Sequence, residues 1–155
     1  MEIINSQNIN VHCRLAFVVS RFNEAITSKL LEGALERAKE KGFANSDMTV
    51  VWVPGAVEIP IVAQRLALRR HSYGAIVCLG AVIRGETTHY DYVCHMVSAG
   101  CSQVAINHNV PVVFGVLTTE NEEQALDRCG GKQGHKGKDA VDTAIEMVAT
   151  LRRLV

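Results

Sequence analysis

The 155-residue chain has no excess of charge of either sign: sixteen Lys and Arg offset sixteen Asp and Glu, for a formal net charge of zero. Nucleic-acid and membrane-surface proteins normally carry a basic excess, so no nucleic acid and no membrane is expected as a partner. No stretch approaches the ~18 consecutive apolar residues of a membrane span. The N-terminus, MEIINSQNINVHCR, lacks the basic-then-apolar order of a secretion signal. Five cysteines (Cys13, Cys78, Cys94, Cys101, Cys129) form an odd set without a CxxC pair, which reads as reduced thiols rather than a disulfide framework. His12, His71, His95, His108 and His135 form no ligand-spaced pair or Cys and His cluster, so no metal is expected. What is present is ordinary: 48% hydrophobic and 21% charged residues, in a length that should bury roughly 70% of its unfolded surface as one domain. The expectation is a cytoplasmic protein forming a single domain over residues 1–155, with no linker or repeat.

Short apolar runs alternate with helical periodicity. Strands are predicted at Leu15–Val19, Thr49–Val53, Ala75–Leu79 and Val112–Leu117. Helices are predicted at about Glu24–Lys41, stopped by Gly42, at Val57 to about Arg70 with Pro60 in the first turn, at Tyr90–His108, at Asn121–Cys129, and at Lys138–Leu154 after a Gly and Lys loop. Strands such as Val50-Val51-Trp52-Val53 are continuously apolar, so both faces must be covered. That order implies one parallel sheet between helical layers with right-handed crossovers. The third helix is apolar around most of its circumference, through Tyr90, Tyr92, Val93, Met96, Val97, Cys101, Val104 and Ile106. A four-stranded domain has no further layer to cover it, and another copy of the chain is the simplest cover.

In an open parallel sheet the ligand site lies beyond the carboxyl ends of the strands. This selects Ser20-Arg21-Phe22-Asn23, Pro54 to Glu58, Gly80 to His89, and Thr118 to Asn121. Gly80 to Thr87 is one substitution from a phosphate-binding P-loop, but Glu86 stands where that loop needs Lys and would repel phosphate. Gly85, Glu86, Thr87 and Thr88 still precede a helix, whose free N–H groups favour an anion; the same threonines read equally as helix caps. His89, at the start of that helix, is the best-placed general acid or base, since imidazole titrates near neutrality. Glu58 sits in a first turn, where the helix dipole favours a carboxylate that could also accept hydrogen bonds from a polar ring. Phe22 follows a strand directly in a turn, a poor place to bury a ring unless a planar ligand packs on it. Phe114, inside the fourth strand, has core packing as its default. Arg128, Lys132, Lys136 and Lys138 make a basic junction that reads equally as an anion contact or a solvated loop, and in an oligomer it could complete a neighbour's site.

The segments SRFNEAITSKLLEGA, VPGAVEIP, YGAIVCLGAVIRGETTHYDYV, VPVVFGVLTTENEEQALDR and GGKQGHKG, in order from about Ile9 to the C-terminus, closely resemble the lumazine synthase family. The resemblance implies a flavodoxin-like α/β fold, a three-layer sandwich around a four-stranded parallel sheet, with the N-terminal segment available to add a strand to a neighbouring subunit. It implies condensation of 5-amino-6-(D-ribitylamino)uracil with 3,4-dihydroxy-2-butanone 4-phosphate to 6,7-dimethyl-8-ribityllumazine, phosphate and water, the penultimate step of riboflavin biosynthesis, without a cofactor. By motif, Phe22 would stack on the pyrimidine, Ala56, Val57 and Glu58 would hold the ribityl chain, and Ala81, Val82 and Ile83 would line the ring pocket through backbone contacts. Glu86 and Thr87 would bind the phosphate, and His89 would be the proton donor. Phe114 from an adjacent subunit would cover the uracil, Arg128 would pair with the phosphate, and Lys136 would be a further contact.

The family forms pentamers, and the uninterrupted GGKQGHKG junction resembles members that build a 60-subunit shell, with riboflavin synthase a candidate partner inside. The sequence departs from the family pattern in three places: Val57 stands where an aromatic residue is common, and Gly131 and His135 replace the more usual Thr and Asn. Two rivals are a flavodoxin or receiver-type binding module and a shell or riboflavin-binding protein that has lost its chemistry. A receiver needs an acidic cluster after its first strand and a flavodoxin a Ser and Thr rich phosphate loop there; Ser20-Arg21-Phe22-Asn23 is neither.

Overall fold

A computed structural model describes residues 1–69 and 73–155. The expected end of the second helix at Arg70, and His71, lie outside the described residues. The chain runs β1 (Leu15–Ser20), α1 (Glu24–Glu40), β2 (Met48–Val53), α2 (Ile59–Ala67), β3 (Ala75–Ile83), α3 (His89–His108), β4 (Val112–Thr119), α4 (Glu122–Asp127), β5 (Cys129–Gly131), β6 (Gly134–His135) and α5 (Lys136–Arg153). The four long strands form one all-parallel sheet in the order β2-β1-β3-β4.

Both faces of that sheet are covered, which is why its central strands read as unbroken apolar runs. Leu15, Phe17 and Val19 point into a core shared with α1 and α5, while Ala16 and Val18 point into a second core shared with α2 and α3. On α1 the residues Ile26, Leu30, Ala34 and Ala38 make the buried stripe. The helix stops where Gly42 adopts φ 94° and Phe43 donates its N–H back to Ala38.

The four expected strands are present, but β3 and β4 extend further, to Ile83 and Thr119, because they continue to pair with each other after β1 has turned away. Ahead of α2 a 3-10 turn spans Ala56–Glu58, and Pro60 occupies the first turn of the α-helix proper, where its missing N–H costs nothing. The fourth helix is shorter than expected: it is capped by Asn121, whose side chain accepts from the Gln124 N–H, and it ends at Asp127. The junction expected as a loop is instead the β5–β6 hairpin, turned by Gly130 at φ 103° and Gly134 at φ 77°. Its hydrogen bonding carries on into α5, which therefore begins at Lys136, two residues early. Residues 1–14 form no strand within the chain. They fold back over the C-terminal helix, with Ser6 buried and Arg153 donating to the Asn5 carbonyl at 2.7 Å.

Candidate active site

The order β2-β1-β3-β4 places a topological switch point between β1 and β3, where connections leave the sheet in opposite directions and a crevice opens at the carboxyl ends. A cavity of about 550 Å³ lies there. The turn after β1 contributes Phe22 and Asn23, the segment after β2 Gly55 to Glu58, the end of β3 Ala81 to Ile83 with Gly85 and Thr87, and the first turns of α3 His89, Tyr90, Tyr92, Val93 and Met96. Four segments far apart in sequence thus converge, and most of the residues expected at a site converge with them: Phe22, Ala56, Val57, Glu58, Ala81, Val82, Ile83, Thr87 and His89. Glu86 lies exposed on the loop between Gly85 and Thr87.

Phe22 is 72% exposed, an apolar ring presented to the cavity rather than buried behind it. Its turn is held by backbone bonds from Arg21 N–H to Val53 O, 2.8 Å, and from Phe22 N–H to Pro54 O, 3.0 Å. The loop from Arg84 to Thr88 is anchored by Arg84. Its backbone N–H donates to Thr119 O at 2.9 Å, and its guanidinium bonds Glu120 at 2.7 Å and Asp91 at 3.4 Å while lying 4.3 Å from the centre of the Tyr90 ring. Thr88 takes the N-cap position of α3 without a side-chain cap. The Thr87 hydroxyl instead accepts from the His89 N–H at 3.3 Å, and the Asp91 N–H donates to the Thr88 carbonyl at 3.0 Å, so two first-turn donors of the helix are met by the loop itself. Burial, then a hydrogen bond with Cys94, pushes the Tyr90 hydroxyl above its ordinary range.

The sequence selected the segment that holds Asn23 without giving that residue a role, and Tyr90, Tyr92, Val93 and Met96 were missed as lining residues. The signal for three of them was present: residues 89, 92, 93 and 96 stand three, four and seven apart, one face of a helix headed by His89. Part of what reads as an all-round apolar helix is therefore the wall of the cavity. A Cβ on Gly100 would sit 2.6 Å from Pro60 Cγ, so α3 lies close against α2 at that glycine.

Phe114, Arg128 and Lys136 are not brought to this cavity. They line a second one of about 640 Å³ along the free edge of β4 and the start of α5, together with Val112, Val116 and Met147. Phe114 is 42% exposed there, against the expectation of core packing, because it lies on an edge strand at a position that neither core covers. The β5–β6 hairpin sets Arg128 and Lys136 side by side: the Lys136 N–H donates to Arg128 O at 2.8 Å, and Arg128 Nη1 donates to Gln124 O at 2.9 Å. Lys136 and Lys138 are ion-paired within the chain, to Asp139 at 3.5 Å and Glu36 at 3.1 Å, so the junction is less uniformly basic than its sequence. Among the described residues no group of three metal-ligating side chains exists, and no helix is long and apolar enough to cross a membrane.

Residues 12–152 match the family model for 6,7-dimethyl-8-ribityllumazine synthase. Curated proteins of that name from Coxiella burnetii strains CbuG_Q212 and RSA 493 are each 55% identical over 141 residues, covering 91% of this chain and 93% of theirs.

Proposed function

We infer the reaction from the family, for the chain belongs to the 6,7-dimethyl-8-ribityllumazine synthases. It is a transferase of riboflavin biosynthesis that condenses 5-amino-6-(D-ribitylamino)uracil with 3,4-dihydroxy-2-butanone 4-phosphate. The observation that carries the reading is the convergence of an exposed aromatic ring, free strand ends, a helix start and an imidazole on one crevice at the switch point.

The chemistry asks little beyond placement. An amine adds to a ketone, water leaves to give an imine, phosphate is eliminated, and ring closure expels a second water. Phe22 offers a face for the pyrimidine, the backbone of Ala81, Val82 and Ile83 offers polar groups to its edge, and Ala56, Val57 and Glu58 hold the ribityl chain. Glu86 and Thr87, on the loop ahead of α3, receive the phosphate through main-chain N–H groups and a hydroxyl; main-chain donors explain why Glu is tolerated at 86. His89 moves the protons.

Phe114, Arg128 and Lys136 serve a neighbouring copy. Their placement on a separate cavity supports this, as does the apolar surface of α3, where Tyr92, Met96 and Ile106 stay exposed. In a ring of identical chains the β4 edge of one faces the switch-point crevice of the next, covering the uracil with Phe114 and pairing the phosphate with Arg128, with Lys136 a further contact. The ring is a pentamer of single-domain chains, and twelve pentamers close a 60-subunit shell able to enclose riboflavin synthase. Five free cysteines suit the reducing cytoplasm.

Mixing the purified protein with both substrates and following the fluorescent lumazine tests the reaction. A rate above the uncatalysed one is expected, and none in a correctly assembled protein would overturn it. Sedimentation tests the shell: a species of about five chains would rule it out.

A further inference from the structure

We propose that Asn23 is a positioning residue for the ring substrate, its side-chain amide supplying the sheet rung that β1 leaves out and so fixing the gap between Phe22 and the end of β3. The role rests on the reaction inferred above. In a strand, successive residues direct their backbone groups to alternate neighbours. Ile76 N–H donates to Pro111 O, ahead of β4, so even-numbered residues of β3 face β4 and odd-numbered ones, Ala81 included, face β1. On β1 the Arg21 N–H is directed to β2, at Val53 O, so a continuing strand would turn the Phe22 N–H toward Ala81 O. It does not continue: the Phe22 N–H donates to Pro54 O, and the β1–β3 pairing ends at Val19 and Leu79.

The carbonyl of Ala81, a buried residue, is thereby deprived of its main-chain donor at the switch point. Asn23 Nδ2 donates to it at 2.9 Å, across 58 residues of sequence. To reach it Asn23 adopts φ 61° and ψ 46°, a left-handed conformation that Asn tolerates better than most residues, and at the N-cap of α1 it forgoes a side-chain cap. Its carbonyl still accepts the first helical bonds, from Ile26 and Thr27 N–H at 3.0 and 3.1 Å. One residue thus ties the Phe22 turn, the start of α1 and the ring-facing end of β3 into a fixed unit. Without the amide, the exposed Phe22 ring and the Ala81–Ile83 backbone could separate, and the planar substrate between them would lose its fit before any other step was affected.

Two variants keep the left-handed backbone and remove the donor: Asn23→Gly, and Asn23→Asp, which sets a carboxylate oxygen against a carbonyl oxygen. With the parent protein measured alongside, each should raise KM for the ribitylaminouracil about fivefold, the equivalent of one hydrogen bond, and Asn23→Asp by more. The KM for the butanone phosphate and kcat should stay within about twofold of the parent. A purely structural role would instead lower kcat or weaken both substrates together. An active parent with parental KM for the uracil in Asn23→Gly, or with both KM values raised equally or kcat reduced, overturns the role and leaves the reaction standing. A parent that forms no lumazine overturns both.

Discussion

A methyl group on Gly33 would occupy the space of the His135 imidazole. The ring lies against α1 because its Nδ1 accepts from the Gly137 N–H at 3.1 Å and the Lys138 N–H at 3.3 Å, capping α5. Gly137 in turn passes so close to the Leu30 carbonyl that it admits no side chain. The cap of α5 is thus an imidazole whose room is provided by a glycine on another helix. Gly33→Ala should destabilise the fold by about 1–3 kcal/mol through overpacking. Combined with His135→Ala, the loss should be smaller than the sum of the two single losses, as read from denaturant midpoints in a double-mutant cycle. Additive losses would mean that the ring and the methyl do not meet.

His89→Ala should lower kcat by roughly 10²- to 10⁴-fold, the usual contribution of one general acid, and leave a measurable rate. Holding two substrates together can contribute on the order of 7 kcal/mol independently of the imidazole. Complete loss in a folded, assembled variant would mean that His89 does more than move protons.

The separation of His89 from Arg128 onto different cavities predicts complementation between defective chains. His89→Ala and Arg128→Ala proteins should each be impaired alone. Unfolded together and reassembled as a random mixture, about a quarter of their interfaces would pair an intact His89 with an intact Arg128 from the neighbour. Activity well above either parent variant is expected in a stopped assay of the mixture. No gain would place both residues on one chain's site.

Alkaline pH should weaken the fold through its thiols. Burial pushes Cys13, Cys94 and Cys129 above the ordinary value of 9.0, and a hydrogen bond with Cys101 together with burial pushes Cys78 well above it. The same bond lowers Cys101 and offsets part of the effect. Groups raised in the folded state hold their protons more tightly than in the unfolded chain. Their stabilisation is therefore complete below pH 9.0 and is lost as pH rises through the folded values. The denaturant midpoint should fall in that range, and less steeply in Cys78→Ala. Identical pH dependence in parent and variant would remove Cys78 from the account.

The alternation of strands and helices, the doubly covered sheet and the strand ends that carry the chemistry can all be read along the chain. These follow from local periodicity and from where apolar runs stop, which need no knowledge of distant contacts. The His89 face of α3 was also legible, as residues 89, 92, 93 and 96. The hairpin at Cys129–His135 was hidden because glycines at positive φ look the same in a turn and in a loop. Two further features depend on contacts between segments far apart in the chain. One is the division of the expected site residues between two cavities, set by the strand order that puts Phe114 on an edge and Phe22 at the switch point. The other is the bond from Asn23 to Ala81, for β1 turns aside one residue before its rung, and only the packed sheet shows which carbonyl is left without a donor.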